Sequence, residues 1–401
     1  MEEASFDPYD LRPLASLNRR SIIALPGVDP ELVGKTGYDL LSKAALIALI
    51  RPHVQELGFA GVDPAHLPEA LTAALESPER AVRDRAAAAA DAVASAVAEE
   101  YGRRLGYLIA SILLSPQGLT SPLVPWEAAY LEHWKTAVRC IVLGGGLSNG
   151  RFGQLAGPVV EGVLARCGLP GLSIRVAENP SFLPLIGAAR HAPDGIEVGG
   201  TPPQCMVVAD FGGSRAKRGI AFYGPDGTLC RLRLLPSRDI EALTGPGKTA
   251  ELAGAMASLI GETIQKADPD TPLADKVVCS VAAYVEDGQP MRIDRGSYCW
   301  LHQISPDLKG WFSQQIGATC SKTVEVEFVH DCDMAACAFA GQPYTAVVML
   351  GTALGVGFVP PGERCRPISS QFVVDHEGGS HDGENGKTPV SGRRSTDREP
   401  S

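Results

Sequence analysis

The chain has 401 residues, 45% of them apolar and 20% charged, an ordinary balance for a folded protein with room for two domains. Its formal charge of −10 weighs against nucleic acid as the main partner, because phosphate backbones demand clustered Lys and Arg. The longest apolar run near the N-terminus, residues 44–50, is too short to cross a bilayer, and ten scattered cysteines without a C-x-x-C pair read as reduced thiols in a cytoplasmic protein.

Residues 21–25 read as a short strand ended by Pro26-Gly27, and residues 37–56 as a helix. A longer helix is expected over 78–114, with Val93, Val97, Tyr101, Leu105, Leu108 and Ile112 three and four apart. Residues 138–143 read as a strand, apolar but for Arg139, ending in Gly144-Gly145-Gly146. A helix at 152–166, a strand at 172–176 and the segment Leu185-Ile186-Gly187-Ala188-Ala189 follow. The Pro/Gly-rich connector 192–204 leads into a strand–turn–strand over 207–222. Beyond it come a helix (249–266), a strand (276–282), a helix near 309–316 and a strand (324–329). A further helix begins near Asp333, which reads as its N-cap, and a last strand–turn–strand spans 346–359. From Asp375 the composition is that of a disordered tail. Strands alternating with helices make an α/β protein.

Four segments carry chemistry. Asp210-Phe211-Gly212-Gly213-Ser214 is a tight turn that can bring backbone N–H groups to a phosphate while Asp210 faces a cation. Leu350-Gly351-Thr352-Ala353-Leu354-Gly355 is a second such turn. Gly144 to Gly146 end a buried strand, where open α/β sheets bind ligands. In His330-Asp331-Cys332-Asp333, Asp331 stands at a strand tip, where a carboxylate can take a proton from a hydroxyl. The run Ala242 to Thr249 imitates a Walker A loop, but no buried strand precedes it and Pro246 lacks an N–H, so it is set aside, as is Gly34-Lys35-Thr36.

Asp210 to Ser214 with Lys217 resembles the first phosphate motif of the ROK family of sugar kinases, within the actin/hexokinase superfamily, and Leu350 to Gly357 resembles its second. His330 to Ala336 is similar to the family's Asn-Asp-Ala-Asn-Ala-Ala segment. Val142 to Ser148, with Ile186 to Ala189, resembles its adenosine motif and closing helix. The order differs: the adenosine half comes first here, so the resemblance implies a circularly permuted, two-domain, ribonuclease-H-like fold with an interdomain cleft. Residues 1–191 would be the nucleotide-side domain, 192–204 the join, 205–345 the first-phosphate and acceptor domain, 346–374 the return to the nucleotide side, and 375–401 the tail.

The implied activity is ATP- and Mg²⁺-dependent phosphoryl transfer to a hydroxyl of a sugar or polyol, without nucleic-acid or membrane partners and with a homodimer left open. Asp331 would be the base, with His330 beside it at the substrate. Asp210 would orient Mg²⁺ through water. Gly212, Gly213, Ser214, Lys217, Gly351, Thr352 and Gly355 would hold phosphates, and Gly144, Gly145 and Gly146 the adenosine. The family's sugar-binding Gly-Glu-x-Gly-His segment has no counterpart, His330 stands in place of an Asn, and Ala353 in place of a Gly. Two other readings therefore stand beside this one: a non-catalytic sugar or nucleotide sensor, and a kinase for a cyclitol or pantothenate-like alcohol.

Overall fold

Two larger sheets, one in each of two structural units, organise the chain beside a two-stranded ribbon, in a computed structural model that describes residues 6–76, 85–115, 124–191, 205–245, 247–292, 296–320 and 322–376. The first unit draws on 1–187, 282–286 and 330–361, the second on 188–281, 287–329 and 362–401. The expected connector 192–204, Pro246 and the expected tail beyond His376 lie outside the described residues.

In chain order, the helical N-terminal part holds α1 (Gly37–Leu41), α2 (Lys43–Ile50), α3 (Leu67–Leu75), α4 (Arg85–Leu114) and α5 (Pro125–Ala137). Next come β1 (Cys140–Gly144), α6 (Gly150–Arg166), β2 (Ser173–Val176) and α7 (Leu183–Arg190). The middle of the chain gives β3 (Cys205–Phe211), β4 (Arg215–Tyr223), β5 (Leu229–Asp239), α8 (Thr249–Gln265), β6 (Lys276–Val281), and the short β7 (Val285–Glu286) and β8 (Gln289–Pro290). The remainder is α9 (Leu308–Cys320), β9 (Glu325–His330), α10 (Asp331–Cys337), β10 (Thr345–Leu350), β11 (Leu354–Phe358) and β12 (Ile368–His376). No helix among the described residues is long and apolar enough to cross a membrane.

In the first unit the helix expected over 37–56 is two helices and a 3₁₀ turn. Ser42 leaves helical geometry at the end of α1, and its Oγ accepts from the Ala45 N–H at 3.2 Å, so it caps α2. The strand expected at 21–25 reduces to one bridge between Ser21 and Thr36. Its backbone is spent on loop bonds instead: the Ile22 N–H donates to Lys35 O, and the Ile23 N–H to Ser111 Oγ. On α4, Val97, Tyr101, Leu105, Leu108 and Ile112 of the expected stripe are buried. This helix meets α6 across glycines. A Cβ on Gly102 would stand 2.6 Å from Ala156 O, and one on Gly106 2.7 Å from the Val163 Cβ.

The sheet of this unit has the order β11-β10-β1-β2. β10 and β11 form an antiparallel hairpin, and β1 runs parallel to both β10 and β2. An exposed sheet edge would invite pairing with another chain. At β11, Asn18 answers part of it: its Nδ2 donates to Leu354 O at 2.7 Å, and its Oδ1 accepts from the Leu354 N–H at 2.9 Å. Tyr130 OH on Ala15 O (2.8 Å) and the Arg20–Glu127 ion pair (2.6 Å) hold the same N-terminal segment down. Because α10 packs on β10 and β11, residues 330–345 group with this unit, where the sequence placed them in the acceptor domain.

In the second unit the sheet order is β12-β5-β4-β3-β6-β9. β3, β4 and β5 make an antiparallel meander, β6 runs parallel to β3, and all seven residues of β3 are buried. β12 adds a parallel strand beside β5, placing residues 368–376 in this unit and taking Asp375 and His376 out of the expected tail. Across β6 and β9, Lys276 Nζ lies 3.0 Å from Glu327 Oε2, and His191 Nε2 lies 3.1 Å from Oε1. Burial alone would raise the Glu327 pKa, but His191 and Lys276 bring it down to about 2. A depressed carboxylate stabilises the fold above its unfolded value near 4.5 and loses that contribution as pH falls toward about 2. Glu327→Gln should therefore cost on the order of 2 kcal/mol in urea unfolding at pH 7, with the difference from wild type shrinking to nothing near pH 2.

Candidate functional site

Every main-chain N–H needs a protein partner, water or a ligand. In the first unit β1 and β10 are adjacent parallel strands, with Gly144 opposite Met349, so their C-terminal ends deliver two glycine turns side by side. The turns are locked at Gly145. Its φ is +89°, its N–H donates to Pro180 O at 2.7 Å, and a Cβ there would fall 2.2 Å from Leu350 O. Gly144 is a packing glycine too, pressed by Leu183 and Met349. Gly146 and Gly351 differ. An added Cβ at either meets only one atom, 3.9 Å away, so neither packing nor dihedral demands glycine. Such positions leave backbone open to a ligand. Among the described residues, the N–H groups of Gly146, Gly351, Thr352 and Ala353 have no protein acceptor, whereas Thr352 O is tied to the Lys43 N–H at the start of α2 (3.2 Å).

Against this hairpin stands the start of α10. Gly355 and Gly357 face Cys332: a Cβ on the first would lie 2.0 Å from Cys332 Sγ, and on the second 2.1 Å from Cys332 O. Gly355, expected at phosphate, is thus a packing residue that brings β11 onto α10. His330 occupies the N-cap and Asp331 the first helical position, so Asp333 is not the cap. Instead Asp333 Oδ2 reaches back to His330 Nδ1 at 3.0 Å, while His330 Nε2 lies 3.5 Å from Asp331 Oδ1. His330 is only 8% exposed, so this residue, expected at the substrate, is spent on two carboxylates. Burial would lower its pKa, but Asp333, Asp331 and Asp10 together raise it. Asp10 is itself pushed up by burial and by Asp333.

The second unit holds the β3–β4 turn. All three turn carbonyls are tied back: Gly212 O by Tyr298 OH (2.6 Å), Gly213 O by Thr244 Oγ1 (3.2 Å) and Ser214 O by the Ile240 N–H (2.9 Å). The Gly213 and Ser214 N–H groups have no acceptor among the described residues, while the Gly212 N–H is used on Arg215 O (3.0 Å). A turn with carbonyls fixed outward and N–H groups free presents partial positive charge to an anion. Asp210 is 2% exposed; its Oδ1 accepts from Ser280 Oγ at 2.8 Å, and its Oδ2 pairs with Lys217 Nζ at 3.0 Å. Lys217, expected at phosphate, is therefore engaged by Asp210.

No protein-family model matches the chain, and no curated protein matches it significantly. The site thus rests on its own geometry. That geometry gathers Gly144, Gly145, Gly146, Gly351, Thr352, Gly355, His330 and Asp331 in the first unit, and Asp210, Gly212, Gly213, Ser214 and Lys217 in the second. Sequence reasoning missed Tyr284, whose ring stacks on His330 at 4.5 Å, and Ser280, which stands opposite Asp210 in the β3–β6 ladder. A polar residue inside the buried run of β6 was the available signal for Ser280. Tyr284 carried none.

Proposed function

We propose that the protein is an ATP- and Mg²⁺-dependent phosphotransferase acting on a hydroxyl of a sugar or sugar-like polyol, with a permuted fold of the actin/hexokinase, ribonuclease-H-like kind. The observation that carries this is the pair of turns whose N–H groups are unspent while their carbonyls or neighbouring glycines are locked: Gly213-Ser214 and Gly351-Thr352-Ala353. The strand orders support the fold. A meander whose first member has a parallel strand on its other side, with one more strand beyond (β5-β4-β3-β6-β9), has the ribonuclease-H-like order, and β11-β10-β1-β2 is a shorter version whose parallel strands precede its hairpin in the chain. That inversion is what permutation would produce.

In this mechanism the free N–H groups hold phosphate oxygens, and positioning with charge neutralisation supplies most of the catalysis. Gly146 leaves room for the adenosine against backbone. Asp331, at the first position of α10, accepts the proton of the acceptor hydroxyl. Asp210 is the cation candidate. Its buried carboxylate fits a hydrated Mg²⁺, provided Lys217 turns from Asp210 to the phosphates. Mg²⁺ would there neutralise phosphate charge.

The Asp210–Lys217 pair favours a second reading, a sensor that binds nucleotide without transferring phosphate. Titration with ATP·Mg²⁺, followed by a screen for ADP release with sugars, cyclitols, amino sugars and pantothenate-like alcohols, separates the two. The kinase reading expects acceptor-dependent ADP release; ATP binding with no stimulation by any acceptor supports the sensor.

A further inference from the structure

His330 lies where β9 gives way to α10, and its ring is held on three sides. Nδ1 faces the Asp333 carboxylate at 3.0 Å and Nε2 the Asp331 carboxylate at 3.5 Å. Tyr284 covers one face at an interplanar angle of 25°. A neutral imidazole has one N–H and one lone pair, and a lone pair directed at a carboxylate is repelled. Both contacts are attractive only when both ring nitrogens carry protons.

Resting on the phosphoryl-transfer reading above, we infer that His330 is a positioning residue: its doubly protonated ring bridges Asp333 and Asp331 and fixes the Asp331 carboxylate for the acceptor hydroxyl. The surroundings agree. From α10, Asp331, Cys332 and Asp333 adjoin the ring. From the N-terminal segment, Asp10 adds negative charge, with Asp7, Arg12 and Glu286 around it, and Arg12 Nη2 lies 3.6 Å from Glu286 Oε1. The balance of these groups is acidic and offsets the burial that would otherwise expel the proton. A histidine whose folded pKa is raised contributes fully below its unfolded value, and the contribution is lost as pH rises through the folded one. The bridge therefore opens on the alkaline side, and Asp331 loses its anchor there.

The test uses full-length protein with labelled histidine. Ring ¹⁵N shifts of His330 should show both nitrogens protonated at pH 7 and a titration above the ordinary histidine range. Asp333→Asn and Asp331→Asn should each move that titration down. In kinetics, with whichever acceptor the ADP-release screen identifies, the pH profile should carry an alkaline limb at the same titration. His330→Asn should remove the limb and lower kcat about 10–100-fold while leaving ATP affinity in place. A neutral tautomer at pH 7, or a titration that neither aspartate variant moves, overturns the bridge. An alkaline limb that survives in a folded His330→Asn protein overturns the positioning role. If the ring titrates as expected but no acceptor is phosphorylated, the kinase reading fails and the positioning role with it, and the bridge alone stands.

Discussion

Asp331→Asn should bind ATP as the wild type does and transfer phosphate about 10²–10⁴-fold more slowly, the span by which a positioned general base accelerates proton removal. The change is nearly isosteric and falls at the first position of α10, where the helix needs no N–H partner from this side chain. Folding should therefore be spared. The residual rate would come from the phosphate-holding N–H groups, which do not involve Asp331. Steady-state ADP release with a responsive acceptor measures it. A near-normal rate removes Asp331 from the role of base.

Gly145→Ala should be the most damaging single-methyl change among the turn glycines. It forces a φ of +89° on an L side chain and drives a Cβ to 2.2 Å from the backbone oxygen of Leu350, which has no rotamer with which to yield. Strained dihedrals cost about 1–3 kcal/mol and overpacking a similar amount, so a loss on the order of 3 kcal/mol or more is expected in urea unfolding, together with loss of ATP binding. Gly146→Ala is the control. Gly146 itself has open space and an ordinary φ, so stability should change by less than about 0.5 kcal/mol while ATP affinity falls. Equal stability loss in the two variants would contradict the division between a packing glycine and a ligand-facing one.

Elements that one local signal decides were legible in the sequence. The apolar stripe of α4, buried at every position but Val93, and the apolar run of β10, buried at every position but Met349, follow their periodicity. Ser42 was not, because a serine inside an apolar run carries two readings, and tertiary burial at 2% exposure chose the cap. β12 was missed because neither of its faces is buried; it is held by its ladder to β5, which composition does not encode. At the site, the motif glycines were found as a group, but their division into packing glycines (Gly144, Gly145, Gly355) and open ones (Gly146, Gly351) depends on neighbours distant in the chain. Asp333 was misplaced as a cap for the same reason, since its partner is a histidine ring turned back toward it. The contribution of the N-terminal segment, with Asp10 beside the His330 cluster and Asn18 on β11, lies more than 300 residues away in sequence from what it touches.

Acceptor-stimulated release of ADP from ATP·Mg²⁺ tests the central claim most directly. At least one sugar, cyclitol or related alcohol should raise ADP release well above the rate with ATP alone, with that increment lost in Asp331→Asn. ATP binding at about 1 mM or below, with no acceptor of these classes raising the rate, would contradict it.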